Sequence, residues 1–240
     1  RRRPSRRLER EPGWPASLAL AGHPDTSANG VRLRPFADLV ERAEAEGRGH
    51  DAGLRLNEPG AGVLVGSGAG GIDVAERQYG EFFSDGWKRV TPYAIPVSIV
   101  GMISSEVSIA LELHGISHVL STGCTSSTDA IGYAAMLLRA GEADVLVTGG
   151  TDGCVLPGMI FGFSRMRAVS TRYNDRPASA SRPFDRGRDG FVLGEGAWML
   201  VIEREDRARA RGAQIYASID GYASTCDAYH RVQMDPDGVE

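Results

Sequence analysis

The clearest ordering of apolar and polar positions lies in 117–150, SHVLSTGCTSSTDAIGYAAMLLRAGEADVLVTGG. A short apolar run ends in a Gly-Cys turn, a helix-like segment of small and apolar residues follows, and a second apolar run spans 145–148. This pattern predicts strand, sharp turn, helix, strand, with Cys124 at the apex of the turn. A side chain there is expected to stand exposed while the rest of the unit is buried. A helix starting just beyond it points unpaired N–H groups and the positive end of its dipole at the sulfur. That favours the thiolate, which is the nucleophilic form. The competing reading of Cys124 is a small buried apolar residue.

Other segments follow the same logic. The run 62–66, GVLVG, predicts a buried strand, and 66–71, GSGAGG, a Gly-rich strand-to-helix turn. Pro92 and Pro96 punctuate a loop, and 97–113 predicts one helix with a small, apolar face. Downstream, 157–167 reads as helix, 170–181 as a polar turn-rich loop, and 191–203 as strand pairs broken by Gly194 and Gly196. A charged short helix at 205–212, a strand at 215–221 and a closing loop complete the chain. Strands alternating with helices argue an α/β layered architecture with a mainly parallel sheet. Residues 1–59 show little periodicity beyond a short helix at 36–46, and an Arg run with Pro, Gly and Ser nearby cannot build a core. They read as a disordered or misassigned segment ahead of a folded unit, 60–240.

Composition narrows the function classes. A hydrophobic fraction of 42% and a charged fraction of 24% are ordinary for a globular protein. The net charge of −4 gives bulk electrostatics no role in nucleic-acid binding. No apolar run reaches the length of a membrane span and no signal peptide is visible, so a cytoplasmic setting is expected. Cys124, Cys154 and Cys226 are too widely spaced for a disulfide framework or a zinc set. GSGAGG matches the dinucleotide fingerprint, but the acidic residue expected about twenty positions on falls in a loop. Close packing is the preferred explanation of those glycines. His114 and His118 flank the turn into the central strand, and a structural or surface histidine is the preferred reading of both over a general base.

Three segments together, TGCTSSTDAIGYA, RAVSTRYNDRPASASRPFDRGRDGFVLGEGA and CDAYH, resemble the β-ketoacyl-ACP synthases of the thiolase-like superfamily. The resemblance runs from about residue 60 to 238 and is closest to the elongating enzymes of type II fatty-acid and aromatic-polyketide systems, with a lean toward the polyketide ketosynthase α-subunit. It implies one half of a thiolase-like αβαβα fold, with residues 1–59 matching poorly. It also implies that Cys124 takes an acyl chain from an acyl carrier protein as a thioester. Malonyl-carrier protein is then decarboxylated, and its enolate attacks that thioester. The Cys124 N–H is the implied local oxyanion donor, and no metal or redox cofactor is required.

Further positions follow from the same resemblance. His230 matches a family histidine near the acyl pocket, and Phe161 and Phe163 are candidates to line the acyl tunnel, with core packing the preferred reading of both phenylalanines. Arg167 matches a position that faces the acidic carrier protein. Asp189 and Glu195 match buried partners of loop backbone. Thr125, Ser126 and Asp129 are expected to serve capping and packing. The implied partners are the acyl carrier protein and either a second copy or a chain-length-factor subunit, paired through the strand before the nucleophile. Two histidine motifs of similar enzymes, HGTST-like and K-x-x-x-G-H, do not occur in these 240 residues. The chain therefore reads as a partial sequence and is expected not to condense substrates alone. A non-catalytic chain-length-factor subunit, a thiolase, an α/β-hydrolase and a nucleotide-binding oxidoreductase are the alternatives. Cys124 argues against the first and the GFVLGEGA block against the second.

Overall fold

A computed structural model describes residue 56 and residues 58–238. The helix expected at 36–46 and the Arg-rich start lie outside the described residues. Four strands form one sheet: β1 (Ala61–Gly66), β2 (Ser117–Leu120), β3 (Val145–Asp152) and β4 (Gly196–Glu203), in the order β2-β1-β3-β4. β1 runs parallel to β2 and to β3, while β4 lies antiparallel on β3 from Val145↔Glu203 to Asp152↔Gly196. The helices are α1 (Ile72–Asp85), α2 (Ala94–Ser98), α3 (Met102–Leu111), α4 (Ser126–Ala140), α5 (Pro157–Arg165) and α6 (Glu205–Ala210).

The central strands are buried on both faces, as parallel strands between helices must be. Val63, Val65, Val145, Val147 and Met199 point one way, onto Ile103, Val107 and Leu111 of α3. Leu64 and Leu146 point the other way, onto Ala130, Ala134 and Leu138 of α4. Each fully buried aliphatic side chain here contributes about 1.5–3 kcal/mol relative to exposure. Small residues on α4 let its backbone approach the sheet closely. The result is helix, sheet, helix in three layers, in agreement with the α/β class expected.

Four local expectations need correction. The segment 97–113 is not one helix: α2 ends at Ser98, the next residue Ile99 is extended with ψ 129°, and α3 begins at Met102. Gly101, a poor helix former, lies in the break, and Gly71 packs across it on the Val97 and Ser98 backbone and Gly70 on Val100. Pro96 belongs to α2, where its place in the first turn costs no helical N–H bond. The strand pairs expected over 191–203 reduce to β4 and a single Val169–Phe191 bridge. The strand expected at 215–221 forms no ladder, and the Ile219 carbonyl is taken instead by the Arg139 guanidinium. Strand-forming residues without a partner strand do not make a strand.

Candidate active site

The loops at the carboxyl ends of β1, β2 and β3 converge, which is where open α/β sheets bind ligands. Cys124 sits in a single 3₁₀ turn, Gly123–Thr125, between β2 and α4. Residues 121–125 are exposed, whereas Ser126, Asp129 and Ala130 are buried. The expected placement of Cys124, exposed above a buried unit, is found. Gly123 has φ 70°, a left-handed conformation that strains any residue with a Cβ.

Side chains lace this turn. The Ser126 hydroxyl donates to the Gly123 carbonyl at 2.6 Å and accepts from the Thr122 N–H at 2.9 Å. Asp129 Oδ2 accepts from the Thr122 hydroxyl at 2.5 Å and from the Thr125 hydroxyl at 2.9 Å. Asp129 Oδ1 accepts from the Tyr222 hydroxyl at 2.6 Å. These bonds, that from Thr122 foremost, hold the Asp129 carboxyl below its ordinary range. Thr125, Ser126 and Asp129 thus pack and brace the turn, although no side chain caps α4 itself.

The Gly-rich loop after β1 turns its amides inward. Asp152, the last residue of β3, accepts from the Ser67 hydroxyl at 2.9 Å, the Ala69 N–H at 2.8 Å and the Gly68 N–H at 3.1 Å. The Gly70 N–H donates to the Ser67 hydroxyl at 2.9 Å. An internal carboxylate therefore occupies the donors that a pyrophosphate would use in a dinucleotide site. The loop also carries the turn: a Cβ on Gly68 would lie 3.2 Å from the Gly123 carbonyl oxygen and 3.6 Å from Asp152 Oδ2.

Asp152 and Tyr222 were not singled out by sequence reasoning. The only sequence signals are a hydroxyl inside a buried Gly-Ser-Gly and a glycine, Gly132, on the helix face that meets the Tyr222 ring.

The other sequence-predicted residues stand elsewhere. Phe161 on α5 is 72% exposed, so the core-packing reading fails for it. Phe163 packs edge-to-face on Phe191, with ring centroids 5.0 Å apart. Arg167 is exposed, with φ 57°, and its N–H donates to the Ser164 carbonyl at 2.9 Å. His230 is exposed, and its Nδ1 accepts from the Val232 and Gln233 N–H groups at 3.1 Å. Among the described residues none of these four joins the hydrogen-bond network around Cys124. His114 and His118 are exposed, as the surface reading expects.

Asp189 does serve loop backbone. It accepts from the Ser170 hydroxyl at 2.6 Å and from the Thr171 and Arg172 N–H groups at 2.9 and 2.8 Å. These bonds, that from Ser170 foremost, bring its carboxyl down to about 2. It is half-buried rather than buried. Glu195 is exposed, with one contact of 3.4 Å from the Val155 N–H, which corrects its expected burial. Cys154 is buried, and burial, with the negative charges of Asp152 and Glu195 added, pushes its thiol up.

Comparison with known proteins agrees with this architecture. Residues 41–208 match the family "Beta-ketoacyl synthase, N-terminal domain". The 3-oxoacyl-[acyl-carrier-protein] synthase 2 of Coxiella burnetii is 44% identical over 190 residues, which is 78% of this chain and 46% of that protein. The Staphylococcus aureus protein of the same name is 44% identical over 191 residues, 78% of this chain and 47% of that protein. The chain thus spans about half the length of these curated relatives.

A β-ketoacyl synthase from Burkholderia phymatum superposes with a TM-score of 0.72 at 32% identity, covering 83% of this chain and 48% of that one. A type II polyketide ketosynthase, solved in complex with its acyl-carrier protein and bound to the hexaketide, superposes with a TM-score of 0.70 at 28% identity, covering 85% and 52%. The likeness to ketosynthases in sequence and in fold, with the match to the family's N-terminal domain over most of the described residues, leads to one conclusion: this chain belongs to the β-ketoacyl synthase family.

Proposed function

We propose that Cys124 is the acyl-accepting nucleophile of a 3-oxoacyl-[acyl-carrier-protein] synthase that works on carrier-protein thioesters in fatty-acid or polyketide assembly. The observation that carries this reading is the exposed Cys124 on a braced turn at the carboxyl ends of three parallel strands. In the first step the Cys124 sulfur attacks the acyl carbonyl of a phosphopantetheine thioester. The tetrahedral oxyanion collapses, the carrier thiol leaves and takes up a proton, and the acyl group stays on Cys124. The Cys124 N–H, in the turn ahead of α4, would donate to the oxyanion.

Lengthening by two carbons then uses a malonyl group whose decarboxylation yields the attacking enolate. The two histidine motifs that similar enzymes bring to that step do not occur in these 240 residues. The acyl-transfer half of the chemistry is the part this chain carries, and no metal or redox cofactor enters it.

Partner surfaces fit the same reading. Among the described residues β2 is an edge strand of the sheet, which suits pairing with a second copy or a related subunit. Exposed Arg167 offers a cation to an acidic carrier protein. Similar proteins supply the precedents, a ketosynthase solved with its acyl-carrier protein and another solved as a ketosynthase/chain length factor. Among the described residues no helix is long and apolar enough to cross a membrane, and a cytoplasmic setting suits carrier-protein substrates.

The test is acyl transfer from a carrier protein charged with a short acyl group. The chain should gain one acyl group as the carrier loses one, and Cys124→Ala should abolish the exchange. Transfer that survives Cys124→Ala would overturn the assignment.

A further inference from the structure

Tyr222 belongs to a stretch without regular secondary structure, yet it reaches the turn that carries Cys124. Its hydroxyl donates to Asp129 Oδ1 at 2.6 Å. Asp129 Oδ2 in turn accepts from Thr122 and Thr125, the residues two before and one after Cys124. Helix α4 is shaped for this contact. Gly132, one turn beyond Asp129, lies against the Tyr222 ring so closely that any Cβ there would collide with it. The ring of Tyr133 flanks Tyr222 at 5.8 Å between centroids. A carboxylate that is 6% exposed and accepts three hydroxyl bonds has little freedom to turn.

We infer that Tyr222 is a positioning residue for acyl transfer: it fixes the Asp129 carboxylate, which holds Thr122 and Thr125 and so sets the geometry of Cys124. The inference rests on the reading of Cys124 as the acyl acceptor. Its physical basis is that acyl transfer needs the sulfur, the carbonyl and an N–H donor in register, and misplacement of about 1 Å costs up to about 100-fold in rate. Alkylation by iodoacetamide needs only an accessible sulfur. The two reactions at one atom therefore separate positioning from exposure.

The experiment compares the parent chain with Tyr222→Phe, which keeps the ring against Gly132 and removes only the hydroxyl. Tyr229→Phe, an exposed change nearby, is the control. Acylation from an acyl-N-acetylcysteamine thioester and alkylation by iodoacetamide are followed on the Cys124 peptide. Hydrogen exchange is followed over residues 122–129.

Tyr222→Phe should slow acylation about tenfold, leave alkylation within about twofold of the parent and speed exchange in the turn, while Tyr229→Phe changes none of these. Parental acylation in Tyr222→Phe, whatever the exchange does, overturns this inference alone. A parent chain that takes up no acyl group overturns the functional reading and this inference together.

Discussion

Gly66, the last residue of β1, lies directly against the backbone of Ser126, the first residue of α4, and a Cβ on Gly66 would run into the Ser126 carbonyl group. On the other side of the same helix start, Gly150 of β3 lies against the Ser127 side chain. Two glycines on neighbouring strands thus let α4 begin on top of the sheet, and that contact sets the height at which Cys124 emerges.

Gly66→Ala tests this seat. Overpacking against backbone that cannot rotate away should destabilise the fold by about 1–3 kcal/mol. Urea denaturation measures the loss. Because the shift occurs at the helix start, the rate of Cys124 acylation should fall as well. Parental stability would mean that α4 is not seated on Gly66.

Asp152 closes the Gly-rich loop by accepting from Ser67, Gly68 and Ala69. Asp152→Ala leaves those donors without their acceptor, and Ser67 is fully buried. An unsatisfied buried donor costs about 1–3 kcal/mol, and the same range is expected here. Hydrogen exchange at the Gly68 and Ala69 amides should speed up in parallel.

Acid stability has a definite sign. The Asp189 carboxyl is held at about 2, below the roughly 3.9 of an unfolded chain. Its contribution is therefore complete above the unfolded value and is lost as pH falls from about 4 toward 2. Asp129 and Asp227 are lowered as well, by hydroxyl donors and by backbone N–H donors respectively, and act in the same direction. Urea midpoints between pH 6 and pH 2 should fall on this limb, and Asp189→Asn should flatten it.

Cysteine reactivity should follow exposure. Cys124 and Cys226 are exposed, whereas Cys154 is buried with its thiol donating to the Gly194 carbonyl at 3.8 Å. Peptide-resolved iodoacetamide labelling of the native chain should mark the first two and leave Cys154 unmodified until the chain is denatured.

The turn that carries Cys124 was legible in the sequence because its signals are local. Apolar runs bounded by Gly mark β1, β2 and β3, and the small residues after Cys124 mark α4. What stayed hidden depends on distant partners. The break at 99–101 has one local signal, Gly101 ahead of α3, while the close approach of Gly70 and Gly71 across it comes from distant sequence. Asp152 lies 85 positions from Ser67, and Tyr222 lies 93 positions from Asp129. Periodicity cannot pair such residues, although the resemblance pointed to Asp189 as a partner of loop backbone, which its bonds from the Thr171 and Arg172 N–H groups match without the full burial expected. The strand expected at 215–221 failed for the same reason, since side-chain alternation says nothing about whether a neighbouring strand exists to complete the ladder.

The most direct measurement is the site of acylation. The chain is incubated with an acyl-carrier-protein thioester, digested, and the added acyl mass is mapped among Cys124, Cys154 and Cys226. The account predicts a single acyl group on Cys124, lost in Cys124→Ala and released by hydroxylamine as a thioester. Acylation of Cys226 at a comparable rate, or none on Cys124, would contradict it.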